Sequence, residues 1–383
     1  MPNRNKEKQK FHNKSFDFIL CITVFLLLAL GIVMVLSASA PYSLSKYGNS
    51  YRYVINQLIF AVIGVILMFV ISKIDYRIYK NFYKIAYWLS LGVLLLVVLP
   101  GIGSGAKGAT RWVNLGFISF QPSELAKIGL IVFYAGYLSE HRLELGKFKE
   151  GFIKPLLYLL PPIAILYFLH DHLSAAIIIV AVTTIMMLMS GTKLRYFLTV
   201  GLAGGVAGIA GMYALATMKG KGEFRLARLT TFMDPWQDAT GSGWQVIQGL
   251  YAIGSGGLFG VGLGNSKQKY LYIPEPHNDF IFAVLAEELG FIGCLIVIAL
   301  FAVFIWRGIL TSMKAKDCFG SLLAVGITSL IGLEAIMNIA VVTSSMPATG
   351  ISLPFFSYGG TALLILLCGV GILLNVSRSA SKV

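Results

Sequence analysis

Ionisable residues set among long apolar runs are costly to bury, so they are the natural places to look for chemistry. Asp279 stands in Ile273-Pro-Glu-Pro-His-Asn-Asp-Phe-Ile-Phe, where a polar connection gives way to a long apolar segment. A carboxylate there can serve as a helix N-cap, for which Asp is a preferred residue. It can also accept a proton from a substrate at the mouth of a cavity, and the two roles can coexist. Glu287 and Glu288 follow on the same helix. At about 100° per residue, Glu287 falls about 80° from Asp279 and Glu288 about opposite it, both roughly two turns deeper. Only Glu287 could share a cavity with Asp279, and pairing with cations or polar backbone is the plainer reading for both.

A second cluster is Arg111-Trp-Val-Asn-Leu-Gly-Phe-Ile-Ser-Phe-Gln-Pro-Ser-Glu-Leu-Ala-Lys127. Pro122 and Ser123 read as a helix start, with Glu124 in the first turn complementing the helix dipole. Glu124 and Lys127 lie three apart on one face, which predicts an ion pair. The functional alternative is that Lys127 meets an anionic ligand. Glu334 and Asn338, four apart, and Ser357-Tyr-Gly-Gly-Thr361 read as hydrogen-bonding groups between helices. His170, Asp171 and His172 could form a metal corner, but no third spaced ligand accompanies them.

The elements that must carry these groups follow from composition. Of 383 residues 57% are hydrophobic and 13% charged, and mean hydropathy is +0.78. A soluble domain has roughly a quarter charged residues, so that class is excluded, as are disorder, collagen and coiled coil. Cys21, Cys294, Cys318 and Cys368 lie in or beside apolar runs without metal-ligand spacing, which suits inert packing thiols rather than a zinc site or a disulfide framework. The net charge of +14 does not indicate nucleic acid, because Lys and Arg sit in short loops between apolar stretches, as topology signals do.

The predicted fold is an all-α polytopic membrane protein of ten helices. Its apolar segments run from Phe18 to Leu36, Leu58 to Ile71, Ile85 to Leu99, Leu125 to Leu138, Leu156 to Leu169, Leu173 to Met189, Tyr196 to Leu215, Phe280 to Trp306, Leu322 to Val342 and Leu363 to Leu374. Several fall short of the ~20 residues that cross a bilayer, so flanking Ser, Gly, Tyr and Trp extend them. The first segment lacks a cleavage site and is expected to stay as a helix. Twenty of the thirty-one Lys and Arg cluster on one side, which predicts that both termini are cytoplasmic. The chain then divides into a basic tail over 1–15, a membrane domain over 16–377 and a short cytoplasmic tail over 378–383.

Within that domain a long outward loop, 217–278, joins helices seven and eight. Loops of that length are seldom idle. Phe224, Leu226, Leu229, Phe232, Met233 and Trp236 suggest a helix lying in the interface, with Arg225 and Arg228 on its wetter side. A short helix is expected from Trp244 to Ile253, and glycines from Gly254 to Gly264 permit tight turns. The outward loops also carry Lys46, Arg52, Lys107, Lys219, Lys221, Lys267 and Lys269 besides the arginines already named. Topology gives no reason for them, so an anionic partner such as lipid phosphate or diphosphate is expected.

Three motifs together resemble the SEDS family, whose members include FtsW, RodA and SpoVE. They are Arg-Trp-Val-Asn-Leu-Gly with Phe-Gln-Pro-Ser-Glu-Leu-Ala-Lys, Pro-Glu-Pro-His-Asn-Asp-Phe-Ile-Phe-Ala with Glu-Glu-Leu-Gly-Phe-Ile-Gly, and Ala-Thr-Gly-Ile-Ser-Leu-Pro-Phe-Phe-Ser-Tyr-Gly-Gly. The resemblance spans nearly the whole chain and is nearest the division and sporulation branch. It implies a peptidoglycan glycosyltransferase that polymerises lipid II into β1,4-linked strands at the outer face of a bacterial cytoplasmic membrane. It also implies a class B penicillin-binding protein as partner, with other divisome or sporulation membrane proteins nearby.

The family's essential aspartate falls on Asp279, its motif glutamate and lysine on Glu124 and Lys127, and its arginine before tryptophan on Arg111. Gln121, Ser123, His277 and Ser357 in the same motifs become expected substrate contacts. Lys267 and Lys269 join Arg111 and Lys127 as candidates for the diphosphate, with or without a divalent cation such as Mg or Mn. Where many members read Gln-Pro-Asp-Leu-Gly, this chain has His170-Asp-His-Leu-Ser, so His172 replaces an aspartate. Because diphosphate is already a good leaving group, one base suffices. Asp279 is expected to take the acceptor hydroxyl's proton as the anomeric centre inverts. The competing readings are a lipid II flippase, with ionisable groups near the midplane, and a scaffold that recruits the transpeptidase.

Overall fold

The computed structural model describes residues 16–99, 101, 103–106, 109–114, 116, 119–199, 232–241 and 243–379. Helix α1 (Phe18–Tyr47) starts at Asp17, whose carboxylate accepts from the Leu20 amide, and stops at Gly48 in a left-handed conformation. Long apolar stretches with few breakers continue as α2 (Arg52–Ile71), a short α3 (Arg77–Asn81) and α4 (Tyr83–Leu95). Then come α5 (Pro122–Glu140), α6 (Lys154–Phe168) and α7 (Leu173–Ser190). An amphipathic α8 (Trp244–Gly256) precedes α9 (Ile281–Met313), α10 (Cys318–Val342) and α11 (Gly360–Ser379).

Among the described residues seven helices are long and apolar enough to cross a membrane: α1, α2, α6 with its preceding turn, α7, α9, α10 and α11. The shorter α4 and the more polar α5 run beside them, packed on each other. The expected span from Tyr196 to Leu215 and the interfacial helix from Phe224 fall largely outside the described residues.

The structure corrects the purely helical expectation at one end of the bundle. There β1 (Gly103–Ala106) pairs antiparallel with β2 (Ala109–Asn114), which pairs with β3 (Ser119–Phe120). Thr110, Trp112 and Val113 favour a pleated surface, and the glycines at 101, 103, 105 and 108 shorten the run below what helix nucleation needs. The sheet carries Arg111 on its central strand and delivers the chain into α5.

Two irregular segments reach inside the bundle. Between α10 and α11 the connection buries Ile351, Leu353, Phe355 and Phe356. The Phe355 carbonyl oxygen lies 2.2 Å from where a Cβ on Gly31 would sit. Gly31 is near the middle of α1, so the connection dips well into the membrane depth, and only glycine admits it. The second segment follows α8. Helix α9 breaks at Gly290 (φ 67°, ψ −169°), and residues 257–262 take up the backbone groups that the break releases. The amides of Phe291 and Ile292 donate to Gly257 and Leu258, while those of Val261 and Gly262 donate to Glu287 and Glu288. Backbone at membrane depth is tolerated only when satisfied in this way.

Candidate functional site

The end of the bundle that carries the sheet opens into a cleft walled by α5, α7, α10, α11 and the deep 350–359 segment. Gln121, Glu124, Lys127, His172, Glu334 and Ser357 are among its lining groups. Its centre is an ion-paired trio. Lys127 is buried and binds Glu124 at 2.8 Å and Glu334 on α10 at a shorter separation. The Glu124–Lys127 pair is the one that the spacing predicts; Glu334 as second partner comes from a helix two hundred residues away. Lys127 is the sixth residue of α5 and Glu334 the ninth from the end of α10. At about 1.5 Å per residue both lie within about 12 Å of this end, in the nearer half of a ~30 Å bilayer core.

Asp279 does not act as a cap. Helix α9 starts at Ile281 with Phe280 in the cap position and no side-chain cap bond. The Asp279 backbone carbonyl accepts from Asn338 Nδ2 at 2.8 Å, and the same amide donates to Ile351 O at 2.7 Å, so one side chain fixes both α9 and the deep segment. The carboxylate itself has no hydrogen-bond or ion-pair partner among the described residues. It stands 3.3 Å from the Cβ position of Gly350, which is part of the cleft wall. Burial and the neighbouring Glu275 raise its pKa to about 6, against an opposing pull from Arg111. A carboxyl poised there can serve as a base near neutral pH.

Arg111 reaches from β2 to donate through Nη2 to the Asp171 carbonyl at 2.6 Å. Its Nε is buried without a partner. The two histidines beside it have separate tasks. His170 contacts the Leu94 carbonyl through Nε2 at 2.8 Å. His172 faces the cleft, with Nδ1 at 3.5 Å from Gln121 Nε2. Burial, followed by repulsion from Arg111 and Lys127, lowers the His172 pKa to about 3, so it stays a neutral imidazole. Among the described residues no three His, Cys, Asp or Glu side chains assemble into a metal centre. The metal corner suggested for 170–172 does not form, and these residues make no donor set of their own for the expected divalent cation.

The remaining expected contacts divide. Ser357 lines the cleft but its hydroxyl is used internally, donating to the Asn278 carbonyl and accepting from the Leu353 amide. Ser123 is buried with its hydroxyl unpaired. His277 is buried among Tyr42, Tyr53 and Tyr358, and burial lowers its pKa to about 4. Lys267 is exposed and outside the cleft. Lys269 is 3% exposed and bonds Glu288 at 2.8 Å, Ser37 Oγ and the Gly264 carbonyl, so it locks the segment after α8 rather than joining the cleft. Glu287 accepts from Ser266 Oγ and from the Lys267 and Gln268 amides. Both glutamates thus have the structural partners that residue reasoning favoured. Gly350 is a site residue that local sequence signals do not single out, whereas Asn338 makes the kind of interhelical hydrogen bond its position suggests.

With this geometry in hand, likeness to known proteins is informative. Residues 18–382 match the "Cell cycle protein" family model of FtsW, RodA and SpoVE. The chain is 42% identical to stage V sporulation protein E of Bacillus subtilis (strain 168), over 94% of this chain and 97% of that protein. It is 43% identical to the probable peptidoglycan glycosyltransferase FtsW of Geobacter sp. (strain M18), over 95% and 97%. Among solved structures, a chain of a peptidoglycan synthase complex that coordinates polymerization and crosslinking superposes with a TM-score of 0.79 at 27% identity, covering 95% of this chain and 98% of that one. The rod shape determining protein RodA of Thermus thermophilus gives 0.69 at 27% identity, covering 96% and 98%.

Proposed function

Because the chain belongs to the family of cell cycle proteins that comprises FtsW, RodA and SpoVE, we propose that it is a peptidoglycan glycosyltransferase that polymerises lipid II. The observation that carries this reading is the Asp279 carboxylate, released from capping, without a partner and set against the cleft wall beside Arg111. In the reaction the 4-hydroxyl oxygen of the acceptor sugar attacks the anomeric carbon of the donor. The bond from that carbon to the diphosphate oxygen breaks, and its electron pair leaves with the polyprenyl diphosphate. The hydroxyl proton passes to Asp279, and the α-linked centre becomes β1,4.

Charge placement assigns the other roles. Lys127 is already engaged by the carboxyl groups of Glu124 and Glu334, so Arg111, with a donor still unused, is the main cation for the departing diphosphate. Lys127 orders α5 against α10 and holds Glu124 at the cleft. Neutral His172 and Gln121 supply hydrogen bonds without adding charge. The concentration of ionisable groups in one half of the bundle, and the use of Glu287 and Glu288 to bind the loop after α8, support a surface polymerase over a transporter with midplane sites.

In this reading the protein sits in a bacterial cytoplasmic membrane with both termini inside and the cleft outside. It works beside a class B penicillin-binding protein, as the structural likeness to a synthase complex supports. The likeness to a stage V sporulation protein and to FtsW supports a role in sporulation or division. The test is polymerisation of labelled lipid II by the purified protein with its transpeptidase. Asp279→Asn is expected to lower polymer yield at least a hundredfold while partner binding persists, the range typical of losing a positioned base. Full yield from that variant overturns the assignment.

A further inference from the structure

A polymerase must hold its product as well as its substrate, and the cleft around Asp279 is only the reacting end. Next to it the outer ends of α1 and α2 place an aromatic layer that the chemistry above does not use. Tyr53 packs against His277 in a tilted pair at 4.5 Å between centroids and meets Tyr358 edge-on at 4.7 Å. Tyr42 lies 5.2 Å from the same imidazole, and Tyr47 continues the layer outward, 6.0 Å from Tyr53. The layer is continuous with the site: Tyr358 lines the cleft, its amide donates to the His277 carbonyl, and His277 is two residues from Asp279.

Cations decorate the outer part. The Arg52 guanidinium lies 4.1 Å from the centre of the Tyr47 ring, and the Lys46 ammonium is 5.3 and 5.5 Å from the Tyr42 and Tyr47 rings. Neither cation meets a carboxylate among the described residues. Glu275 lies 3.5 Å from the Tyr42 hydroxyl and is bonded by Asn278. An aromatic belt that only anchors a protein at the interface turns its rings toward lipid. Here the rings pack on one another and against the cleft wall, while Tyr47 remains 40% exposed.

Aromatic faces carry partial negative charge and attract the polarised C–H face of a sugar ring, and unpaired cations attract carboxylates. We propose that Tyr42, Tyr47 and Tyr53 with Lys46 and Arg52 form a subsite for the growing glycan strand, stacking its sugars and holding the acidic peptides it bears. The subsite rests on the polymerase reading but has its own test. Binding of a preformed, uncrosslinked, fluorescent glycan oligomer is measured on the Asp279→Asn protein in nanodiscs, where no turnover intrudes. Adding Tyr47→Ala or Arg52→Ala is expected to weaken binding about tenfold, and Tyr47→Trp to retain it. In the full complex with active Asp279, the alanine variants are expected to make strands several-fold shorter.

Unchanged oligomer binding in both alanine variants overturns the subsite. So does a strand-length defect that appears only in anionic-lipid nanodiscs without any change in oligomer binding, which identifies a lipid anchor. If the wild-type complex makes no polymer yet oligomer binding still depends on Tyr47 and Arg52, the strand site stands and the polymerase reading falls.

Discussion

At the scale of single residues, one carboxyl sets the pH behaviour. Burial and Glu275 raise the pKa of Asp279 to about 6, and Arg111 opposes them. Activity is therefore expected to rise with pH through about 6 and then level, with Glu275→Gln moving that limb to lower pH; a rate profile flat from pH 5 to 8 contradicts the base assignment. The same shift has a stability consequence of opposite sense. A carboxyl whose folded pKa lies above its unfolded value favours folding while protonated and loses that contribution as pH rises from about 4 to 6. Asp279→Asn is thus expected to stabilise the protein above pH 6, by about 1–3 kcal/mol as an upper range, with the gain shrinking toward pH 4 in thermal melts. Asp279 and Lys127 were legible in the sequence because a charge among apolar residues is conspicuous. The ammonium of Lys269 folds back onto Glu288, a pairing that nothing local in the sequence reveals.

At the scale of elements, the site depends on contacts between segments far apart in the chain. Lys127 on α5 is balanced by Glu334 on α10, and removing one member of a buried pair costs about 3–5 kcal/mol because the other is left uncompensated. Lys127→Met is expected to destabilise by that amount in denaturant melts, and Lys127→Met with Glu334→Leu to recover much of it; an additive double variant refutes the pairing. Gly31→Ala places a methyl group against the Phe355 carbonyl, so the deep segment that walls the cleft must shift. Polymer yield is expected to fall about tenfold or more while circular dichroism keeps its helical signal. The helices were readable from apolar runs alone. The β1–β3 sheet was not, since its strands are only two to six residues long, β1 is half glycine, and none shows a period long enough to register. The inward course of the 343–359 connection has no local signal, because burial of Leu353, Phe355 and Phe356 is decided by the helices around it.

At the scale of the whole molecule, charge distribution and site placement make one joint demand. The short basic connections Lys73 to Lys84 and Arg307 to Lys316 lie at the end away from the cleft, with the start of α1, and such clusters tend to remain on the cytoplasmic side. The cleft, the sheet and the Tyr47 layer are then expected to face outward, where a polymerase would meet the sugars of its lipid substrate. This is testable with single cysteines in a protein lacking Cys21, Cys294, Cys318 and Cys368. Asn49 and Asn265 are exposed at the cleft half, and Lys80 and Lys314 are exposed in the opposite connections. In intact cells a membrane-impermeant maleimide is expected to label Asn49→Cys and Asn265→Cys, and to reach Lys80→Cys and Lys314→Cys only after permeabilisation. The reversed pattern would put Asp279 on the cytoplasmic side, away from any strand being built outside, and the polymerase mechanism could not operate.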